Sequence, residues 1–123
     1  MELEGKKNTG RIESFGFALR GLLHALGSQI NFQIQIIIGA LVLFLAWILE
    51  FDRLEMLILV IITGLVLFAE LFNTVVEIVV DLAAKEKLIP EAKLAKDVSA
   101  AAVLLISIFA VIVGLILFIP HLW

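Results

Sequence analysis

The sequence predicts an all-α integral membrane protein, with three transmembrane helices preceded by an amphipathic surface helix. Three observations carry that expectation. First, 63% of the 123 residues are hydrophobic and only 17% are charged, and the mean hydropathy is +1.16. A short chain has too much surface for its volume to hide that apolar load in a water-soluble core, and soluble domains carry about a quarter of charged residues. Second, the apolar residues gather in runs of the length a bilayer requires, about 20 residues of helix. Third, the basic residues sort by segment as though threaded through a membrane.

The chain reads as a single membrane domain over 1–123, with the surface helix at about 9–27 and helices containing the spans at about 29–49, 55–81 and 91–119. In the surface helix, Ile12, Phe15, Leu19, Leu22, Leu23 and Leu26 recur at helical spacing, while Glu13, Arg20 and His24 take another face. That pattern suits a helix lying in the membrane interface. It serves either as an anchor or as a wall over a site at the membrane surface. His24, with no second histidine near it in sequence, reads as an interfacial residue. A cleaved signal peptide is not expected, because the first apolar run begins near residue 30 with no small-residue cleavage site behind it.

The first run is free of charge over 28–49, the second over 56–69 with an apolar pattern continuing to Val80, and the third over 98–119, closed by Pro120. Pro90 is placed to open the last helix, since proline suits the first helical turn. The small residues Ser99, Ala100, Ala101 and Ala102 allow close helix contact. Eight of the nine basic residues lie in the first 27 residues or in 82–97, and the turn at 50–55 holds only Arg53 against Glu50, Asp52 and Glu55. The positive-inside rule then puts the N-terminus and the 82–97 loop in the cytoplasm, and the 50–55 turn and C-terminus outside. Trp47 and Trp123 fall at that same outer interface, where indole rings settle.

Composition also excludes whole classes of chemistry. There is no cysteine, so disulfide scaffolds, thiolate metal sites and cysteine nucleophiles are out. A net charge of −3 offers nothing to nucleic acid. The sequence contains no Walker A loop, protein-kinase motif or glycine-rich dinucleotide fingerprint.

The informative stretch closes the second span. Glu70, Asn73, Thr74, Glu77 and Asp81 fall within about a third of the helix circumference at 100° per residue, with apolar residues between them. A carboxylate in the bilayer centre costs about 2.5–3.5 kcal/mol on the insertion scale, and three on one stripe repel each other. Something positive should face them: a divalent cation, Lys96, or Arg11. Magnesium suits Glu77, because it takes one or two carboxylates and leaves places for water and phosphate oxygens. Glu70 lies seven residues away, about 10 Å along the axis, so it reads as having a different job, that of a general base toward a group arriving from the lipid. The competing reading is a structural polar seam between helices.

The stretch Glu70-Leu71-Phe72-Asn73-Thr74-Val75-Val76-Glu77-Ile78-Val79-Val80-Asp81 resembles the signature of the small prokaryotic diacylglycerol kinase family, which includes the undecaprenol kinases. Ala95-Lys96-Asp97-Val98-Ser99-Ala100-Ala101-Ala102-Val103 resembles its second block, and the loop 89–94 is similar to the undecaprenol kinase branch. The likeness covers nearly the whole chain. It implies a homotrimer with sites shared between subunits at the cytoplasmic face of a prokaryotic inner membrane, and transfer of the ATP γ-phosphate to a lipid hydroxyl. It implies Glu70 as base beside the lipid together with Ala100, Asn73 as an orienting group in catalysis, and Glu77 as ligand to Mg²⁺ and contact to ATP. It implies Arg11, Glu86, Lys87, Lys96 and Asp97 as further ATP contacts. Two departures stand out. Gln29 occupies the place of a metal-ligating glutamate, and an amide oxygen brings no negative charge. Phe17 stands where the family often has tyrosine, and the chain contains no tyrosine. Two other readings remain at this level: a small proton-coupled transporter using Glu70, and a catalytically silent relative with a structural membrane role, for which Gln29 is the motive.

Overall fold

A computed structural model describes residues 10–122. Lys6, Lys7 and Trp123, used above to argue sidedness, lie outside the described residues. The fold is a run of helices: α1 Arg11–Ser28, α2 Ile30–Ile48, α3 Arg53–Ala84, α4 Pro90–Phe118, and a short 3₁₀ turn Ile119–His121. Three of them, α2, α3 and α4 with its 3₁₀ extension, are long and apolar enough to cross a membrane. Among the described residues there is no β-strand.

Local chemistry sets the helix ends. α1 gives way to α2 through one extended residue, Gln29 (φ −105°, ψ 103°). Gln33 Nε2 takes up the Leu26 carbonyl left open at the end of α1, donating to it at 2.7 Å, and Ser28 Oγ donates to His24 O at 2.7 Å. α3 opens on a reciprocal cap, in which the Glu55 amide donates to Asp52 Oδ1 at 2.8 Å and the Asp52 amide donates to Glu55 Oε1 at 2.9 Å. It closes on Lys85 in the left-handed region (φ 54°), followed by Glu86 (φ 61°), whose amide donates to Asp81 O at 2.8 Å. Pro90 does stand in the first turn of α4.

The helices pack as antiparallel neighbours. Between α2 and α3 the buried residues recur every seven positions, Phe32, Gly39 and Ala46 on one helix and Leu59 and Val66 on the other, the period of a left-handed helix seam. Contact is close at Gly39, where an added Cβ would sit 2.8 Å from Thr63 Cγ2. α3 and α4 are joined at both ends: Asp81 with Lys96 at one, Glu55 with His121 at the other. Twenty-six residues separate the two anchor points on α3, a rise of about 39 Å, and twenty-five on α4, about 38 Å. Both match a bilayer with part of its headgroup layers. Between these two contacts the side chains are apolar or uncharged polar, except Glu70 and Glu77 on α3 and Asp97 on α4.

At the Glu55 end, His121 Nε2 lies 2.9 and 3.1 Å from the two Glu55 oxygens. Its ring stacks on Phe51 at 4.5 Å between centroids, and Phe51 leans on Phe118 at 4.7 Å. α4 has no fully buried residue, and large apolar side chains of every helix face outward, among them Ile116, Phe72, Phe44 and Leu23. In lipid such surface needs no protein cover.

Candidate functional site

The stripe on α3 keeps the spacing read from the sequence, because residues 53–84 form one uninterrupted helix. Glu70 is 7% exposed, the only charged side chain among the buried described residues. Asn73, Thr74, Glu77 and Asp81 are half-buried, so the stripe emerges gradually toward the 85–89 loop. Thr74 turns its hydroxyl back on its own helix, donating to Glu70 O at 3.1 Å. Asn73 Nδ2 donates to Glu77 Oε2 at 3.4 Å, a long bond. Asn73 Oδ1 is buried with no partner, although buried polar atoms are nearly always satisfied.

Glu70 and Asn73 face a cavity of about 340 Å³ lined also by Asn31, Ile34 and Gln35 of α2 and by Ala100, Val103, Leu104 and Ser107 of α4. Three helices therefore meet around Glu70. Gln35 and Ser107 also border a larger apolar groove of about 450 Å³ that runs toward the far side of the bundle past Gly39, Thr63 and Phe118. Ala100 lines the same cavity as Glu70. Asn31, Gln35 and Ser107 were not singled out from the sequence. Their signal was present as isolated polar residues in apolar runs, but only the packing shows that they turn toward Glu70.

Of the two side chains named as counter-charges for the stripe, Lys96 is the one in contact. Its Nζ lies 2.5 Å from Asp81 Oδ1. Asp97, one residue on, points to another face of α4 and pairs with Lys93 at 2.6 Å. Both pairs are partly exposed, and pairs of that kind contribute no more than about 1 kcal/mol each. Arg11 opens α1 on an exposed position and makes no ion pair among the described residues. Glu86 and Lys87 are exposed in the turn after α3. Gln29 is half-buried at the α1–α2 junction.

No three acidic or histidine side chains converge as a ready-made metal cage among the described residues. The donor set is nevertheless of the kind magnesium takes: the Glu77 carboxylate and the unpaired Asn73 carbonyl oxygen are hard oxygen ligands one helical turn apart. Magnesium does not need a protein cage when substrate phosphates and water complete its shell.

Three bilayer-length helices around a buried carboxylate, with an acidic stripe leading from it to a basic loop, define a multi-pass membrane protein with a polar site at one end. The family model described as prokaryotic diacylglycerol kinase matches residues 16–118, and the chain belongs to that family. It is 40% identical over 109 residues to a diacylglycerol kinase of Synechocystis, covering 89% of this chain and 62% of that relative, so it spans under two thirds of that protein's length. It is 34% identical over 110 residues to the undecaprenol kinase of Bacillus subtilis, covering 89% of each. Both relatives are named as kinases, one of diacylglycerol and one of undecaprenol.

Proposed function

We propose that the protein transfers the γ-phosphate of ATP to the hydroxyl of a membrane lipid, diacylglycerol or undecaprenol, at the cytoplasmic face of a prokaryotic inner membrane. The observation that carries this reading is the course of the stripe. It starts at a carboxylate buried among three apolar helices and ends among basic residues at the water level. A lipid alcohol reaches the first from the bilayer, and a nucleotide reaches the second from the cytosol.

In this reading Glu70 accepts the proton of the lipid hydroxyl. The freed oxygen attacks the γ-phosphorus, a P–O bond to the lipid forms, the bond to the β,γ-bridging oxygen breaks, and ADP leaves. Glu77 and the Asn73 carbonyl would hold Mg²⁺, which when bound neutralises charge on the β- and γ-phosphates. Asn73 orients the reacting groups, and Ala100, having a small side chain, leaves room for the lipid beside Glu70. Lys96 offsets phosphate charge, while Arg11, Glu86, Lys87 and Asp97 hold the rest of the nucleotide. α1 lies in the interface, its exposed Ile12, Phe15, Leu19 and Leu23 turned to lipid. A homotrimer fits the open apolar faces of α4, which one chain leaves uncovered.

The test is turnover of purified protein in mixed micelles with labelled ATP, Mg²⁺ and either lipid. The expected result is a labelled lipid, with Glu70→Gln and Glu77→Gln each reducing the rate by at least about 10²-fold, the scale of losing a general base. No labelled lipid from the parent, or variants as active as the parent, overturns the proposal. Running the two lipids side by side identifies the acceptor.

A further inference from the structure

We propose that Asp81 is a positioning residue for the nucleotide: it holds the Lys96 ammonium at the water end of the stripe and keeps it off Glu77. The inference deepens the kinase reading and rests on it for the roles of Lys96 and Glu77. Three features of the structure carry it. The Lys96 ammonium contacts Asp81 Oδ1 directly, across the gap between α4 and α3. Asp81 stands one helical turn beyond Glu77 on the same stripe. The neighbouring carboxylate Asp97, which would otherwise be the nearest alternative along the chain, is occupied by Lys93.

A lysine is a compact charge on a flexible four-carbon stem. Left without Asp81, the ammonium of Lys96 has two outcomes: it swings into water, or it falls inward onto Glu77. The first loses a prepositioned cation for the phosphates. The second places a fixed positive charge on the carboxylate that would receive magnesium. Asp81 prevents both, and because the pair is partly exposed, with side chains 37% and 47% accessible, the triphosphate can still draw the ammonium over when it arrives. A pair formed only for stability is a poor explanation, since α3 and α4 are joined at their other end by the better-shielded Glu55–His121 pair, 25% and 23% accessible.

The experiment measures binding of the non-hydrolysable ATP analogue AMP-PNP with Mg²⁺ by calorimetry on the whole protein in detergent, beside the lipid kinase assay. Asp81→Asn, which keeps the shape and removes the charge, is expected to raise the Kd for the analogue about fivefold, the scale of one exposed charge pair, and to raise the Mg²⁺ concentration at half-saturation. Asp81→Glu should restore most of the loss. In a Lys96→Met background, Asp81→Asn should have no further effect on either value, because Asp81 acts through Lys96. Unchanged or tighter binding in Asp81→Asn overturns the inference, as does an equal loss with and without Lys96. Asp81→Ser is the second variant where Asp81→Asn does not elute like the parent. The two readings fail separately. A parent that phosphorylates lipid with no dependence on Asp81 sinks this inference alone. A parent that binds nucleotide in the stated pattern and labels no lipid sinks lipid transfer alone. A parent that binds no nucleotide sinks both.

Discussion

Asn73 concentrates the tension of the site in one side chain. Its amide nitrogen reaches Glu77 only at 3.4 Å, and its carbonyl oxygen is buried with no partner. An unsatisfied buried acceptor costs about 1–3 kcal/mol, and an apolar side chain of similar size would remove that cost. Asn73→Leu is therefore expected to raise the melting temperature in detergent by a few degrees while abolishing most lipid phosphorylation. Differential scanning fluorimetry and the turnover assay on one preparation check both halves. A variant that is destabilised and still active contradicts the assignment. The sequence showed Asn73 as polar among apolar neighbours. It did not show which of its two ends was unpaired, because that depends on where α2 and α4 close over it. Glu70 was legible for a different reason: a charge inside an apolar helix is costly enough to announce itself without coordinates.

Among the elements, the α2–α3 seam sets how tightly the walls of the Glu70 cavity are held. Gly39 has no room for a methyl group, since a Cβ there would lie 2.8 Å from Thr63 Cγ2. Thr63 is pinned in turn by its hydroxyl, which donates to Leu59 O at 2.7 Å. Gly39→Ala should destabilise the protein by about 1–3 kcal/mol, the usual range for overpacking. Adding Thr63→Ser removes the offending Cγ2 and keeps the hydroxyl, so the double variant should recover most of the loss. Additive losses in reversible unfolding would show that the two residues do not meet. Gly39 was invisible to the sequence reading: a glycine in an apolar span fits lipid, a kink or a close approach equally well. The seven-residue recurrence of Phe32, Gly39 and Ala46 becomes meaningful only once Leu59 and Val66 are seen opposite.

Over the whole molecule the question is sidedness. The Asp81–Lys96 and Glu55–His121 ends of α3 and α4 lie about 39 Å apart by helix rise, so they cannot share one interface. Lys85, Lys87, Lys93 and Lys96 lie at the Asp81 end, and Arg53 lies at the Glu55 end. The chain contains no cysteine, which makes single-cysteine labelling clean. Leu88, 98% exposed in the loop between α3 and α4, and Arg53, exposed as the first residue of α3, report opposite faces. In intact cells a membrane-impermeant maleimide should label Arg53→Cys and spare Leu88→Cys until the membrane is opened. The reverse pattern would place the Asp81 end outside and remove the site from cytosolic ATP.

The order of helices, the stripe on α3 and the need for a positive partner were all readable in one dimension. They follow from properties a linear chain carries by itself: the high cost of charge in hydrocarbon, the 3.6-residue period, and the preference of proline for helix starts. Other facts needed the folded chain. These are that Lys96 rather than Arg11 answers the acids, that Asp97 turns away to Lys93, that Asn31, Gln35 and Ser107 gather around Glu70, and that His121 clasps Glu55 sixty-six residues away. Each depends on the rotation and depth of one helix against another, and helices of nearly uniform hydrophobicity carry no pattern that fixes either until their side chains interlock.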